Sequence, residues 1–368
     1  MPRIPTTLLR KAHTIDPFLP PLLAPCRDLP AAQRELRWLR EHAEKVAKAR
    51  RGGDTLAKGT LLRQLVNERA SGKPLQYLLG TEYFGDLEIR CRPGVLIPRP
   101  DTAASITNLV GLLRNAQNLP PELRVLDLCT GTGCIPLLFQ HEFYRTRRDI
   151  DLHILGVDIS DKALKLANHN LQTLRRNARY VETSRLRFLK ADILINPFAS
   201  QTGGPPPLKT ALNHKQQPPF WDILISNPPY ISPAAYWKTT TRSVRGFEPK
   251  LALVPPTSVT LTDTEQGDKF YPRLIQIARD VESKIVLLEV ADLKQALRVA
   301  RGARSLGIFD GIEVWRELPD VKPDAVTSVD GFPIVGEGNA RSVVCWRGIG
   351  ASWLGKEILP TSQTEDSQ

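Results

Sequence analysis

Five short apolar runs carry an acid or an amide at their close, and the chain between them switches to helical spacing. They are RVLDLC (124–129), LHILGVD (152–158), RLRFLKAD (185–192), WDILISN (221–227) and KIVLLEV (284–290), with a late sixth run, RSVVCW (341–346). Between the second and third, DKALKLANHNL has helical periodicity, and Ser160 stands where an N-cap belongs. Strands alternating with helices predict an α/β fold with a mostly parallel, doubly wound sheet. Such sheets bind ligands outside the carboxyl ends of their strands, where Asp127, Asp158, Asp192 and Asn227 are placed.

Ahead of this pattern the spacing is helical throughout. Leu36, Leu39, Ala43 and Val46 recur at steps of three and four across 31–49. Gly52-Gly53 breaks that run, and a second stripe follows at Leu61, Leu62, Leu65 and Val66 before Gly72 and Pro74 end it. A small helical domain over 16–73, used for docking a partner or simply for packing, is the expectation. The first fifteen residues, MPRIPTTLLRKAHTI, contain Arg3, Arg10 and Lys11 and no acid. That composition fits either a mitochondrial transit peptide or a plain basic tail.

A chain of 368 residues suits one large domain and a smaller one, and 41% hydrophobic residues can bury a core. The net charge of +11 permits an RNA-rich partner without requiring one. Cys26, Cys91, Cys129, Cys134 and Cys345 form no CxxC pair, and the six histidines are scattered. A disulfide framework and a zinc or other metal site are therefore not expected, and a reducing compartment is. No apolar run reaches the roughly 18 residues that cross a bilayer, so a soluble chain is expected. Most of the 31 prolines fall in clusters. The aperiodic stretch NPFASQTGGPPPLKTALNHKQQPPF (196–220) reads as a flexible insertion and 351–368 as a disordered tail.

In DLCTGTGC, Gly131 and Gly133 let the backbone approach a ligand closely. The GxGxxG dinucleotide fingerprint is not met, because Pro136 stands where its last glycine would be. Asp158 follows Gly133 by 25 residues and ends the next strand, where a carboxylate accepts both hydroxyls of a ribose. With Asp192 at the third strand end, the set points to a nucleoside cofactor without a pyrophosphate, S-adenosylmethionine. Cys129, Thr130, Gly131, Thr132, Gly133, Asp158, Asp192 and Asn227 are the candidate cofactor residues.

The sharpest feature is Asn227-Pro228-Pro229-Tyr230, directly after the fourth strand. Two prolines fix φ and remove two backbone donors, leaving carbonyls as acceptors. An amide or exocyclic amino nitrogen is planar, with its lone pair delocalised. Methylating it requires the lone pair to be aimed at the methyl carbon. The Asn227 oxygen and the Pro228 carbonyl together grip the two N–H bonds and stabilise the positive charge that grows on nitrogen. Tyr230 stacks on the planar group. Asn227, Pro228 and Tyr230 are thus the catalytic candidates, and Asn227, Pro228, Pro229 and Tyr230 the substrate-binding ones.

With these residues in hand the chain resembles the HemK/PrmC family, the protein-(glutamine-N5) methyltransferases of peptide chain release factors. The resemblance rests on PLQYLLGTEYFG (74–85), GVLIPRPDT (94–102), VLDLCTGTGCI (125–135), GVDIS (156–160), SNPPYI (226–231), VRGFEPKLAL (244–253) and LLEVA (287–291), in the family's order. It implies a small N-terminal helical domain, a linker hairpin at 74–101 and a class I, Rossmann-like methyltransferase domain over 102–350. It further implies S-adenosylmethionine as cofactor and the GGQ-loop glutamine of a class 1 release factor as substrate. By the same likeness Asp192 or a residue just after it lies by the adenine. Phe84, Arg99, Pro100 and Glu248 either shape the pocket or pack the seam between domains. Cys129 stands where many relatives have glycine. By comparison with the family, residues 317–340 are expected to hold a disordered loop.

The NPPY turn alone is shared with adenine-N6 methyltransferases, so a DNA- or RNA-directed enzyme is the alternative, and a scaffold protein without catalysis is a third reading. The helical domain marks the bacterial and organellar type. With the basic start and the proline-rich insertion, it favours a mitochondrial enzyme over a cytoplasmic one. A monomer that needs no membrane and no direct nucleic-acid contact completes the expectation.

Overall fold

A computed structural model gives the fold and describes residues 3–49, 55–176, 185–195, 203–321 and 327–357. The chain divides into two compact units. One comprises Met1–Glu82, Arg90–Ile97 and Thr239–Pro249; the other comprises Tyr83–Ile89, Pro98–Lys238 and Lys250–Gln368.

The smaller unit contains α1 (Thr6–Ile15), α2 (Leu19–Cys26), α3 (Leu29–Ala49), α4 (Thr55–Ala70) and α5 (Leu75–Leu79). Their stripes meet in one core of Ala12, Leu19, Leu22, Leu23, Leu36, Leu39, Ala43, Leu62, Leu65 and Val66. Both stripes expected from periodicity contribute to it, Leu61 packing from its margin, while Val46 is only half-buried. The Gly52-Gly53 break lies outside the described residues. The expected basic tail is corrected from Thr6 onward: Leu8 and Leu9 pack on the core and Ala12 is fully buried, so this segment is a helix of the unit. Helix α2 went unread because of its prolines. Pro20 and Pro21 occupy the first turn, where a missing N–H costs nothing, and only Pro25 sits inside.

Strands β1 (Thr81–Phe84) and β2 (Leu87–Arg90) form a two-stranded sheet, whose Phe84, Leu87 and Ile89 belong to the larger unit's core. Next come α6 (Pro100–Asn115), β3 (Glu122–Leu128), α7 (Cys134–Phe143), β4 (Asp151–Asp158), α8 (Asp161–Arg175) and β5 (Arg185–Lys190). Then follow α9 (Leu208–His214), β6 (Ile223–Ser226), α10 (Pro233–Thr239) and α11 (Arg242–Phe247), the last clustering with the smaller unit. The rest is α12 (Asp263–Asp268), α13 (Phe270–Asp280), β7 (Ile285–Glu289), α14 (Leu293–Ser305), β8 (Gly311–Leu318), β9 (Thr327–Val329), β10 (Phe332–Val335), β11 (Glu337–Trp346) and α15 (Gly350–Trp353).

Nine strands make one sheet in the order β5-β4-β3-β6-β7-β11-β8-β10-β9. β5, β4, β3, β6 and β7 are mutually parallel, as the alternating pattern requires, while β11 runs antiparallel to both β7 and β8. Each face of the sheet is covered by a separate apolar cluster. Chain order runs outward from β3 in both directions, so the topological switch point lies between β3 and β6.

Three expectations of disorder are corrected where residues are described. Within 196–220, Leu208, Ala211 and Leu212 bury one side of α9 in the core, and Pro207 bridges to Asp192. Burying the two leucines stabilises by about 1.5–3 kcal/mol each, enough to order a short helix in a polar stretch. Residues 196–202 lie outside the described set. In 317–340 the chain forms β9, β10 and the start of β11, and only 322–326 lie outside the described residues. In 351–368, Trp353 and Leu354 are buried and the Trp353 indole N–H donates to the Asn118 carbonyl at 3.0 Å. Residues 358–368 lie outside the described set.

Candidate active site

The register of the parallel strands sets the candidate residues side by side. Leu128 pairs with Val157 on one flank and Ser226 on the other, and Ser226 pairs with Leu288. One step further along each strand therefore aligns Asp158, Cys129, Asn227 and Glu289 across the sheet's carboxyl edge. Asp158 pairs with Lys190, so Asp192 emerges two residues beyond it.

The glycine turn is a tight backbone loop. Cys129, Gly131 and Gly133 take φ of 68°, 56° and 76°, in the left-handed region that favours glycine. Cys129 occupies that conformation with a Cβ, at a cost of roughly 1–2 kcal/mol. Thr130 N–H donates to Val157 O at 3.0 Å, Gly133 N–H to Thr130 O at 2.8 Å, and Asn170 Nδ2 to Thr132 O at 2.9 Å. A side chain at Gly131 would meet nothing within 4 Å, so the turn presents bare backbone to open space. At Gly133 a Cβ would lie 2.8 Å from Phe188 Cζ.

Asp158 closes β4 with its carboxylate over this turn. Oδ2 accepts the Gly131 N–H and Oδ1 the Ser160 N–H, both at 2.9 Å. Burial pushes its pKa up while these backbone donors oppose the rise. Each oxygen keeps a lone pair for a further donor. Asp127, Thr130 and Thr132 are buried beneath the turn, where the Thr130 hydroxyl opposes the rise that burial imposes on the Asp127 carboxyl. Burial pushes Asp127 well above the usual carboxylate range. Asp192 Oδ1 accepts Leu194 N–H at 2.8 Å, and its own N–H donates to Pro206 O.

The Asn-Pro-Pro-Tyr corner leaves β6 with Pro228 and Pro229 buried and Asn227 and Tyr230 half-buried. Asn227 Nδ2 donates to Thr102 Oγ1 at 3.3 Å. Thr102 Oγ1 donates in turn to Glu289 Oε2 at 2.5 Å, and Tyr230 OH donates to Glu289 Oε1 at 3.2 Å. Glu289 is 5% exposed, and burial pushes its pKa up to about 7 against the pull of Thr102, Tyr230 and Arg341. Burial first, then the Glu289 charge, pushes the Tyr230 phenol up.

Of the candidate residues, then, the structure gathers 129–133, Asp158 and Asn227–Tyr230 along one sheet edge and gives Asp192 a backbone-capping role. Sequence reasoning missed Thr102 and Glu289. Their available signal was position, since Thr102 closes GVLIPRPDT and Glu289 is another acid at a parallel strand's end. Phe84 is fully buried in the core, Arg99 and Pro100 start α6, and Glu248, in the smaller unit, accepts the Ile97 N–H at 3.1 Å.

No protein-family model matches the chain. Named relatives do. The mitochondrial MRF1 N(5)-glutamine methyltransferase MTQ1 of Saccharomyces cerevisiae is 33% identical over 258 residues, 69% of this chain and 68% of that one. The probable MRF1 mitochondrial N(5)-glutamine methyltransferase mtq1 of Schizosaccharomyces pombe is 31% identical over 306 residues, 80% of this chain and 87% of that one. A release factor glutamine methyltransferase of Chlorobaculum tepidum is 34% identical over 204 residues, 55% of this chain and 60% of that one. Fold, strand-edge constellation and these relatives agree, and the chain belongs to the HemK/PrmC family of release factor N5-glutamine methyltransferases.

Proposed function

We propose that the protein transfers a methyl group from S-adenosylmethionine to the side-chain amide nitrogen of the GGQ glutamine in a class 1 release factor. The observation that carries this reading is the alignment of Asp158, the glycine turn and Asn227 on adjacent strands at the switch point. The residues fit the cofactor: the turn offers bare backbone at Gly131, and the Asp158 carboxylate, acceptor-only when ionised, lies over it.

When bound, S-adenosylmethionine supplies a methyl carbon activated by positive sulfur. Asp158 would take the ribose hydroxyls, and the backbone of 129–133 would hold the cofactor. Asn227 Oδ1 and the Pro228 carbonyl accept the two N–H bonds of the glutamine amide and aim its lone pair. The same two acceptors stabilise positive charge on nitrogen as the bond forms, and Tyr230 packs on the amide plane. The proton leaves afterwards to solvent, so no strong base is required. Pro228 and Pro229, buried and fixed in φ, hold the acceptors without reorganisation.

The helical unit is the docking element for the release factor, and the protein works as a monomer without nucleic acid of its own. A mitochondrial location is supported by the names of the two yeast relatives. Fractionation of cells expressing the tagged chain checks it.

The deciding experiment is mass spectrometry of the GGQ peptide after incubating release factor, S-adenosylmethionine and enzyme. A gain of one methyl on glutamine, formed far more slowly by Asn227→Ala, is expected. Label retained on a GGA release factor, or appearing in nucleic acid, overturns the assignment.

A further inference from the structure

A side-chain amide has two ends of opposite hydrogen-bonding character. Asn227 can grip a substrate N–H only if its oxygen, and not its NH2, faces the substrate. The two ends are nearly equal in shape, so packing alone selects poorly between them. Something must choose, and the chain has a device for it.

The structure assigns that choice to Thr102 and Glu289: we propose that they are positioning residues, a relay that orients the Asn227 amide and holds Tyr230 beside it. This rests on the reading of Asn227 as an acceptor for the glutamine amide. The polarity of the relay is set from its buried end. Both oxygens of the Glu289 carboxylate accept, Oε2 from Thr102 and Oε1 from Tyr230. A carboxylate has no proton to give, so the Thr102 hydroxyl must spend its single proton on Glu289. Its oxygen is then left only as an acceptor, and the group that meets it must be a donor, the Asn227 Nδ2 at 3.3 Å. With Nδ2 committed, Oδ1 is the end that remains for substrate. One buried charge thus fixes the direction of two successive hydrogen bonds.

Glu289 is itself held from several sides. Its backbone carbonyl accepts the Tyr271 hydroxyl at 2.8 Å, and its strand pairs with β11 at Ser342. The Arg341 charge, paired to Asp101 at 2.9 Å, favours its ionised form, whereas the Asp101 charge disfavours it. Arg341 also pairs with Glu317. None of these partners competes for Oε1 or Oε2. The sequence separations, 187 residues from Thr102 to Glu289 and 125 from Thr102 to Asn227, show a relay assembled only by the fold.

The test uses the full chain, a class 1 release factor and S-adenosylmethionine. Thr102→Val keeps the shape and removes the relay. It is expected to lower kcat by about tenfold or more while leaving KM for both substrates within about twofold, and Thr102→Ser to recover most of that loss. In an Asn227→Ala background, Thr102→Val is expected to cost less than about twofold further, because it acts through Asn227. Glu289→Gln, which donates from one end, serves as the second probe should Thr102→Val melt early, and is expected to lower kcat by about tenfold as well. A Thr102→Val enzyme with wild-type kcat, a Thr102→Ser enzyme as impaired as Thr102→Val, or multiplicative losses in the double variant each overturn the relay. If Asn227→Ala alone keeps full turnover, the reading of the corner itself fails. If it collapses while Thr102→Val and Glu289→Gln do not, only the relay does.

Discussion

Ser226 and Leu128 are joined twice across the switch point: they pair in parallel register, and the Ser226 hydroxyl donates to the Leu128 carbonyl at 2.7 Å. Each is the last strand residue before a functional segment, Leu128 before the glycine turn and Ser226 before Asn227. The spacing between the glycine turn and Asn227 is therefore set by a buried contact between two strand ends. Ser226→Ala leaves that contact unmade inside the core. It should cost about 1–3 kcal/mol of stability, read by denaturant melts, and lower kcat more than it lowers cofactor affinity.

Asp158 divides cofactor binding from chemistry. Asp158→Ala removes an acceptor for a ribose and frees the Gly131 and Ser160 N–H groups. Titration calorimetry should show S-adenosylmethionine binding weakened by about 10- to 100-fold, with kcat at saturating cofactor changed far less.

The two glycines of the turn should fail in different ways. Gly133→Ala places a Cβ 2.8 Å from Phe188 and 3.0 Å from Ala167 at φ 76°. It should destabilise the fold by about 2–3 kcal/mol. Gly131→Ala meets no protein atom, so its melting temperature should shift little beyond backbone strain while cofactor affinity falls. Thermal melts beside calorimetry separate the two.

Glu289 links turnover to pH. In the ionised form both of its oxygens accept, and protonation, centred near pH 7, turns one into a donor and breaks an arm. Turnover should fall as pH drops through about 7, and Glu289→Gln should flatten that limb. The sign for stability is opposite. The folded pKa lies above the ordinary 4.5, so the carboxyl favours the fold below that value and the benefit is lost as pH rises through about 7. Relative to wild type, Glu289→Gln should gain stability between about pH 5.5 and pH 8.5, as urea melts at the two pH values would read.

The chain after β11 should matter to stability. Trp353 is 3% exposed and its indole is hydrogen-bonded. Trp353→Ala should cost about 3–5 kcal/mol, measured by urea unfolding.

Much of the site was legible because each part has a local chemical reason. Two glycines mark a backbone turn, an acid at a strand end marks the carboxylate that lies over it, and two prolines after an asparagine mark a rigid corner. Cys129 looked like a departure from the family, and its φ of 68° explains the glycine of its relatives. What escaped was long-range or short. Glu289 reads as one more acid in an apolar run until Thr102 folds onto it from 187 residues away. Strand β8 was hidden by charges, because Glu313 is buried yet satisfied by the Trp315 indole at 2.6 Å and Lys356 at 2.7 Å. Helix α9 carries only three buried residues in a stretch of Pro, Gly and Lys, too few for periodicity to register.

The place of β11 in the sheet bears on how the protein is made. β7, which carries Glu289, has β6 on one side and β11 on the other, and β11 comprises Glu337–Trp346. While the ribosome is still translating the residues before it, β7 is an unguarded edge with open hydrogen-bonding groups. The sequence of the glycine turn is thus made well before the strand that flanks Glu289. The second edge of β7 is paired only once the last strand of the sheet has been made.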